Sequence, residues 1–503
     1  MKKSILTLFG CLGLAAAVTA QEVELTPVEK LEQRIETLEN ANNSAQKFKV
    51  SGYIQAQYQH AETAADGNNF KLAKAANSYE SNAYIPGTSE YKGLDGYDRF
   101  GIRRGRIKFS YTEGIAEGVI QLDVTDKGIN DDARNVVMFK DVYLSIKDPI
   151  WGTNSFKAGI FDRPFGHEIA YSSSRRESPE RARIIQSLFP DERDLGAMLT
   201  LQADKNSPWN ILKLEAGVFA GSGIKPQFDN HFDFIGHLSA KKTIGDMEIS
   251  GGFSAYLGGV MQCDSNLYVM KDNMFVLDNN NRSNIGGYAK RQYFGIDAQY
   301  SIITPAGLTQ LRGEYIWGEH PGNASGAYNF KFTGIQTFAS NPGVTPAVNS
   351  SPVYMRKISG GYVILTQDLG TLPLTAVVKY DWYNPNTEVS GDDIYMPTKN
   401  EAGDFINGFN AEKLAKGEQK QTSNSDSNGG ELIKSNIGLG LIWKINSALK
   451  LTAYYDIVSN EKTKNIKDSK IAEGQPSAGK ITKYGYEDDR PDNVFTLRLQ
   501  YKF

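Results

Sequence analysis

The residues best suited to act on a solute lie between Phe161 and Asp194, in FDRPFGHEIAYSSSRRESPERARIIQSLFPDERD. Arg163, Arg175, Arg176, Arg181, Arg183 and Arg193 are interleaved there with Glu168, Glu177, Glu180, Asp191, Glu192 and Asp194. A guanidinium presents a planar fork of donors that suits oxyanions, whereas an ammonium is a hydrated point charge. Eleven of the eighteen arginines fall between Arg99 and Arg193, so this chemistry is concentrated in one part of the chain. A long charged connection between two strand-like segments is often functional. The expectation is a loop folded into the lumen of a barrel, narrowing it and choosing what passes. Within it, SPERARIIQSLF has helical spacing with Ser178, Pro179 and Glu180 at its start. A short helix there would turn Arg181 to the stream and pack Ile184, Ile185 and Leu188 on a wall. Asp162 and Arg163 read as anchors of the loop.

Other chemistry is scarce. His231 and His237 share a strand face with Asp233, but no Ser or Cys nucleophile motif accompanies them. No phosphate-cradling glycine loop and no zinc spacing occurs, so neither catalysis, nor a metal site, nor a cofactor is expected. The formal charge of -3 becomes about -5 once Lys2 and Lys3 are removed, which argues against nucleic acid as a partner.

The elements that must position the arginines are strands. Residues 1–20 read as a secretory signal, with Lys2 and Lys3, an apolar run from Ile5 to Val18, and cleavage after Ala20. Val28, Leu31, Ile35 and Leu38 then form a short heptad pattern within residues 21–46, a coiled-coil-like helix that needs other copies to be stable. Beyond residue 47 the period changes to two. Phe48, Val50, Ile54, Ala56 and Tyr58 alternate with Lys49, Ser51, Tyr53, Gln55 and Gln57, and the pattern recurs in Arg106–Tyr111 and Leu449–Asp456. About sixteen such segments begin near Phe48, Arg99, Ala116, Val136, Ser155, Leu195, Ile211, His231, Met247, Ala289, Gly307, Val353, Leu372, Glu431, Ala448 and Asp492. The connections alternate between tight turns such as Glu113-Gly114 and Gly245-Asp246 and long polar segments such as Ala61–Asp98 and Asn384–Gly430. That asymmetry predicts an all-β, transmembrane antiparallel barrel over residues 47–503, with short periplasmic turns and long extracellular loops. Only Cys263 would remain in the mature chain, so no internal disulfide is expected.

The last strand carries the class. Phe495, Leu497, Leu499, Tyr501 and Phe503 alternate, and this ending resembles the assembly signal that bacterial outer-membrane proteins present to the barrel-assembly machinery. Physically it closes the sheet on its first strand and leaves no open edge in lipid.

RFGIRRGRIKFSY (Arg99–Tyr111), KDVYLS (Lys140–Ser145), AGIFDRPFGHE (Ala158–Glu168), FPDERDLGAML (Phe189–Leu199) and GVFAGSG (Gly217–Gly223) together resemble the porin O/P family, the phosphate-selective porins of Gram-negative outer membranes. The resemblance implies a homotrimer of sixteen-stranded barrels, an inward third long loop, and passage of anions along cationic side chains. Carried over, it puts Arg104, Arg106 and Lys108 on a lumen face opposite Arg175, Arg176, Arg181, Arg183 and Arg193, with Asp162, Arg163, Pro164, Phe165 and Gly166 anchoring the loop. The expected solutes are small hydrophilic molecules, with anions such as phosphate mildly favoured. The alternatives are a plugged, adhesive barrel whose long loops bind external ligands and, more remotely, an outer-membrane enzyme.

Overall fold

The computed structural model describes residues 47–62, 96–124, 137–224, 227, 229–262, 266–271, 274–278, 285–322, 353–394, 432–464, 468–475, 477–483 and 485–503. The expected signal, the heptad segment and Cys263 lie outside these residues.

Sixteen strands form the wall: β1 (Phe48–Ala61), β2 (Tyr97–Glu113), β3 (Ala116–Val124), β4 (Val137–Lys147), β5 (Ser155–Asp162), β6 (Arg193–Gln202), β7 (Leu212–Phe219) and β8 (Asp233–Ile244), followed by β9 (Met247–Met261), β10 (Tyr288–Thr304), β11 (Gly307–Gly322), β12 (Val353–Asp368), β13 (Leu374–Asn384), β14 (Lys434–Lys444), β15 (Leu449–Asn460) and β16 (Val494–Lys502). Each pairs with its sequence neighbours, and β16 returns to β1 with Leu499 opposite Ala56 and Val494 opposite Ala61. The barrel is closed and antiparallel, and every expected strand start falls within three residues of the observed one.

Its burial is inverted relative to a soluble protein. Ile54, Ile107, Leu199, Phe253, Ile296, Leu439 and Leu499 are exposed on the outside, while Gln55, Gln57, Gln59, Thr366, Thr452 and Thr496 are buried within. A closed ladder satisfies every backbone group, and an apolar exterior belongs in hydrocarbon, so this is a membrane barrel of the outer-membrane type. In β2 the outward face is even-numbered through Phe100 and Ile102, then odd-numbered from Ile107. Arg103 sits at that change of phase, as an extra residue in a bulged strand does.

The seam is finished by the last residue. The Phe503 N–H donates to Gly52 O (3.0 Å) and the Gly52 N–H to Phe503 O (2.9 Å). A Cβ on Gly52 would lie 2.3 Å from the Arg106 carbonyl and 2.6 Å from the Phe503 ring, so only glycine fits between them.

Short turns and long connections alternate around the barrel, and residues 163–192 are the third long connection. It contains α1 (Arg183–Leu188), which starts five residues later than the sequence spacing suggests. The delay has a cause. Arg498 takes the Pro179 carbonyl (2.7 Å), Lys379 that of Glu180 (3.3 Å), and Ser178 Oγ also donates to Glu180 O. Those carbonyls would otherwise accept the first helical bonds. Away from the wall, the hairpin Leu267–Lys271 and Met274–Leu277 runs beside the start of β12, with Leu267 opposite Val353 in a parallel pairing.

Candidate functional site

The third long connection enters the lumen through a built turn. Asp162 faces Arg193 (3.1 Å) and Arg163 Nε donates to Asp194 (3.1 Å), fixing both ends of the loop to the wall. Pro164 and Phe165 are buried. Gly166 has φ +60°, its N–H donates to Ser254 Oγ on β9 (2.8 Å), and a Cβ there would lie 1.7 Å from the Glu314 carboxylate. Glu314, on β11, accepts the N–H groups of His167 and Glu168, both at 3.2 Å. Sequence reasoning missed Glu314 because it reads as one more inward polar residue of a barrel strand.

Beyond the turn the loop is packed along one side. Ile169, Ala182, Ile184, Ile185 and Phe189 are fully buried against Tyr256, Tyr293, Ile316, Tyr362 and Tyr383 of the wall. Each large apolar side chain contributes roughly 1.5–3 kcal/mol on burial, so the loop is docked rather than a loose flap. Its other side is tied to the opposite wall. Gln55 of β1 donates to Ser173 O (3.1 Å), Gln500 of β16 to Ser174 O (2.9 Å), and Lys450 of β15 to Ser174 O (3.0 Å). The loop therefore crosses the lumen.

The arginines have distinct environments. Arg106 is buried, with Nε on Asp123 at 2.8 Å. Arg104 is buried between Gln55 (3.1 Å) and Glu180 (3.2 Å). Arg193 holds Asp141 (2.9 Å) and Glu192 (2.7 Å) as well as Asp162. Arg181 turns to Glu192 and to the carbonyls of Glu168, Ile169 and Tyr171, so its side chain braces the loop. Arg176 donates to the carbonyls of Ser178 and Pro179. Arg183 is buried, and its backbone N–H donates to Asp381 (3.0 Å). Arg175 differs: it is exposed and lies 5.4 Å over the Tyr171 ring. Lys108 is half-buried. Neither Arg175 nor Lys108 has a carboxylate partner among the described residues.

Two cavities flank Glu180. One is lined by Arg103, Arg104, Arg181, Gln186 and Glu192, the other by Arg183, Lys379, Asp381, Asn436 and Asp456. Burial alone would raise the Glu180 pKa, but the guanidiniums of Arg103, Arg104 and Arg498 hold it well below the usual carboxylate range. Arg181, Lys140 and Arg193 do the same for Glu192 against its burial. Burial and the neighbouring Arg181 push Arg176 down to about 10. The arrangement is a lattice of paired charges across the lumen of the barrel. His237 bonds Asp297 at 3.0 Å, and among the described residues neither carries a hydrogen bond to a Ser or Cys side chain.

No family model matches the chain, and no curated protein does. Among solved structures it is similar to OprB of Pseudomonas putida (9% identity, 94% of this chain and 96% of that one, TM-score 0.47). An anion-selective porin from Comamonas acidovorans is similar over 91% of this chain and 99% of its own (10% identity, TM-score 0.45). The trimer form of the outer-membrane protein OmpT of Vibrio cholerae is similar over the same shares (11% identity, TM-score 0.42). Scores below 0.5 at such identities carry no weight, and both fold and function rest on the barrel itself.

Proposed function

We propose that the chain is a porin of the Gram-negative outer membrane, a channel for passive diffusion of small hydrophilic solutes with a mild preference for anions such as phosphate. The observation that carries this reading is the third long loop, which lies inside a closed barrel and is tied to both sides of its wall. A pore narrowed by polar side chains selects by diameter and local field, without chemistry or energy input. The anion preference is assigned to Arg175 and Lys108, whose charges no described carboxylate neutralises, with Arg104, Arg106, Arg176, Arg181, Arg183 and Arg193 forming the frame. The short-turn rim is periplasmic and the long-loop rim extracellular. A homotrimer is proposed, with the heptad segment of residues 21–46 in the periplasm, and the terminal strand is read by the barrel-assembly machinery.

Planar bilayers test this reading. The wild-type protein opens in discrete steps, and under a salt gradient its reversal potential lies on the anion side. Lys108→Glu with Arg175→Glu moves that potential toward cations. The density of ties between loop and wall favours one rival, a plugged barrel whose extracellular loops bind a ligand. A folded protein that gives no current steps would establish the rival instead.

A further inference from the structure

Four guanidiniums surround Glu180, and among the described residues three of them, Arg104, Arg176 and Arg498, share it as their carboxylate. Arg103 grips the carboxylate with both arms of its fork (2.7 and 2.8 Å). Arg104 reaches it at 3.2 Å, Arg498 at 3.3 Å, and Arg176 approaches to 4.0 Å. Among the described residues, Arg104, Arg176 and Arg498 have no other carboxylate within ion-pair reach. Their remaining acceptors are neutral: Gln55 for Arg104, Gln57 and the Pro179 carbonyl for Arg498, and two carbonyls for Arg176. Three of these guanidiniums are nine-tenths or more buried. They come from the wall at β2 and β16 and from the loop itself, so the cluster spans the seam between the two. Both lumen cavities beside the loop have Glu180 in their lining.

A carboxylate and a small oxyanion satisfy the same forked donors. We propose that Glu180 is a built-in surrogate anion: it fills an oxyanion subsite made by Arg103, Arg104, Arg176 and Arg498, and a passing oxyanion exchanges with it. This rests on the porin reading and names the subsite within it. Conduction requires binding strong enough to draw an ion in and weak enough to release it. An empty cluster of four guanidiniums would hold phosphate too long. A tethered carboxylate competing for the same donors shortens the stay, because the loop returns it as the solute leaves. No covalent step is involved: the phosphate brings its own negative charge to the surplus guanidiniums while Glu180 swings aside on its tether.

The test is Glu180→Gln in planar bilayers, using chloride current and added inorganic phosphate as the probe. Removing one unit charge about 4 Å from the path changes the permeability of chloride and of potassium by about fivefold each in opposite directions, so their ratio rises by about thirtyfold in a water-filled lumen. Phosphate also blocks the variant's chloride current at concentrations that leave the wild type open. An unchanged ratio without phosphate block overturns the exchange. So do larger steps with selectivity lost, which would mean that Glu180 only tethers the loop. Arg498→Gln is the second variant, should Glu180→Gln not fold. With Glu180 intact and one surplus guanidinium removed, the ratio falls, and an unchanged ratio in the folded barrel overturns the subsite. A wild-type barrel without current steps overturns the porin reading and the exchange together, whereas a conducting wild type with an indifferent Glu180→Gln overturns the exchange alone.

Discussion

Gly166→Ala should disturb the constriction while leaving the barrel intact. Two costs add at this position. The left-handed φ of +60° costs an alanine roughly 1–2 kcal/mol. The new Cβ would lie 1.7 Å from Glu314, a carboxylate that bonds two backbone N–H groups of the same turn. An intramolecular hydrogen bond is worth roughly 0.5–1.5 kcal/mol net, and moving Glu314 weakens both. The sum is roughly 2–5 kcal/mol against the docked turn, and on the wall it falls on the Glu314 side chain of β11. Gly114→Ala is the matched control: φ is +56°, but nothing lies within 4 Å of its Cβ, so only the backbone cost applies. The assay pairs single-channel recording with heat-modified gel mobility. Gly166→Ala should migrate as a folded barrel yet conduct with altered, flickering steps, whereas Gly114→Ala conducts as the wild type does. A Gly166→Ala channel indistinguishable from Gly114→Ala would refute the claim that Glu314 holds the entry turn.

Gly52→Val should unfold at lower temperature than the wild type in the gel-mobility assay, because its side chain meets both the Arg106 carbonyl and the Phe503 ring; equal melting would show that this close approach does not matter. Arg181→Ala strands three loop carbonyls and leaves Glu192 to Arg193 and Lys140, so it should change conductance and stability together, while Arg175→Ala shifts only the reversal potential. Leu439→Arg, outward on β14, should destabilise the barrel in lipid by roughly 2–4 kcal/mol, read as a lower unfolding midpoint. Glu180 and Glu192 have depressed pKa values in the folded protein, so their stabilisation is complete above the ordinary carboxylate pKa and is lost only as pH falls through the lower folded value. The Glu180 and Glu192 carboxylates should therefore stay ionised from neutral pH down to about pH 4, read as the infrared carboxylate bands missing from Glu180→Gln and Glu192→Gln, and loss of those bands near that ordinary value would contradict the ion-pair account.

The wall was legible because lipid outside and water inside force a strict alternation, and each strand records it in its own ten or so residues. Even the phase change at Arg103 left its mark as a break in that alternation. The inward loop was legible from its length and charge. Its internal arrangement was not. Glu314 and the turn it holds are 147 residues apart, and nothing in the sequence around Glu314 separates it from other lumen residues. Arg181 is braced largely by backbone carbonyls, acceptors that every residue carries and no side-chain pattern reveals. The late start of α1 has the same origin, since wall side chains take carbonyls that local spacing assigns to the helix.

The central claim is that the third long loop sets the bore of a closed barrel. Single-channel conductance of the wild type, compared with a variant in which Ser172–Ser187 is replaced by a short Gly-Ser linker, tests it most directly. The expected result is discrete steps in both, several-fold larger in the trimmed barrel. Equal conductance from two folded proteins would contradict it.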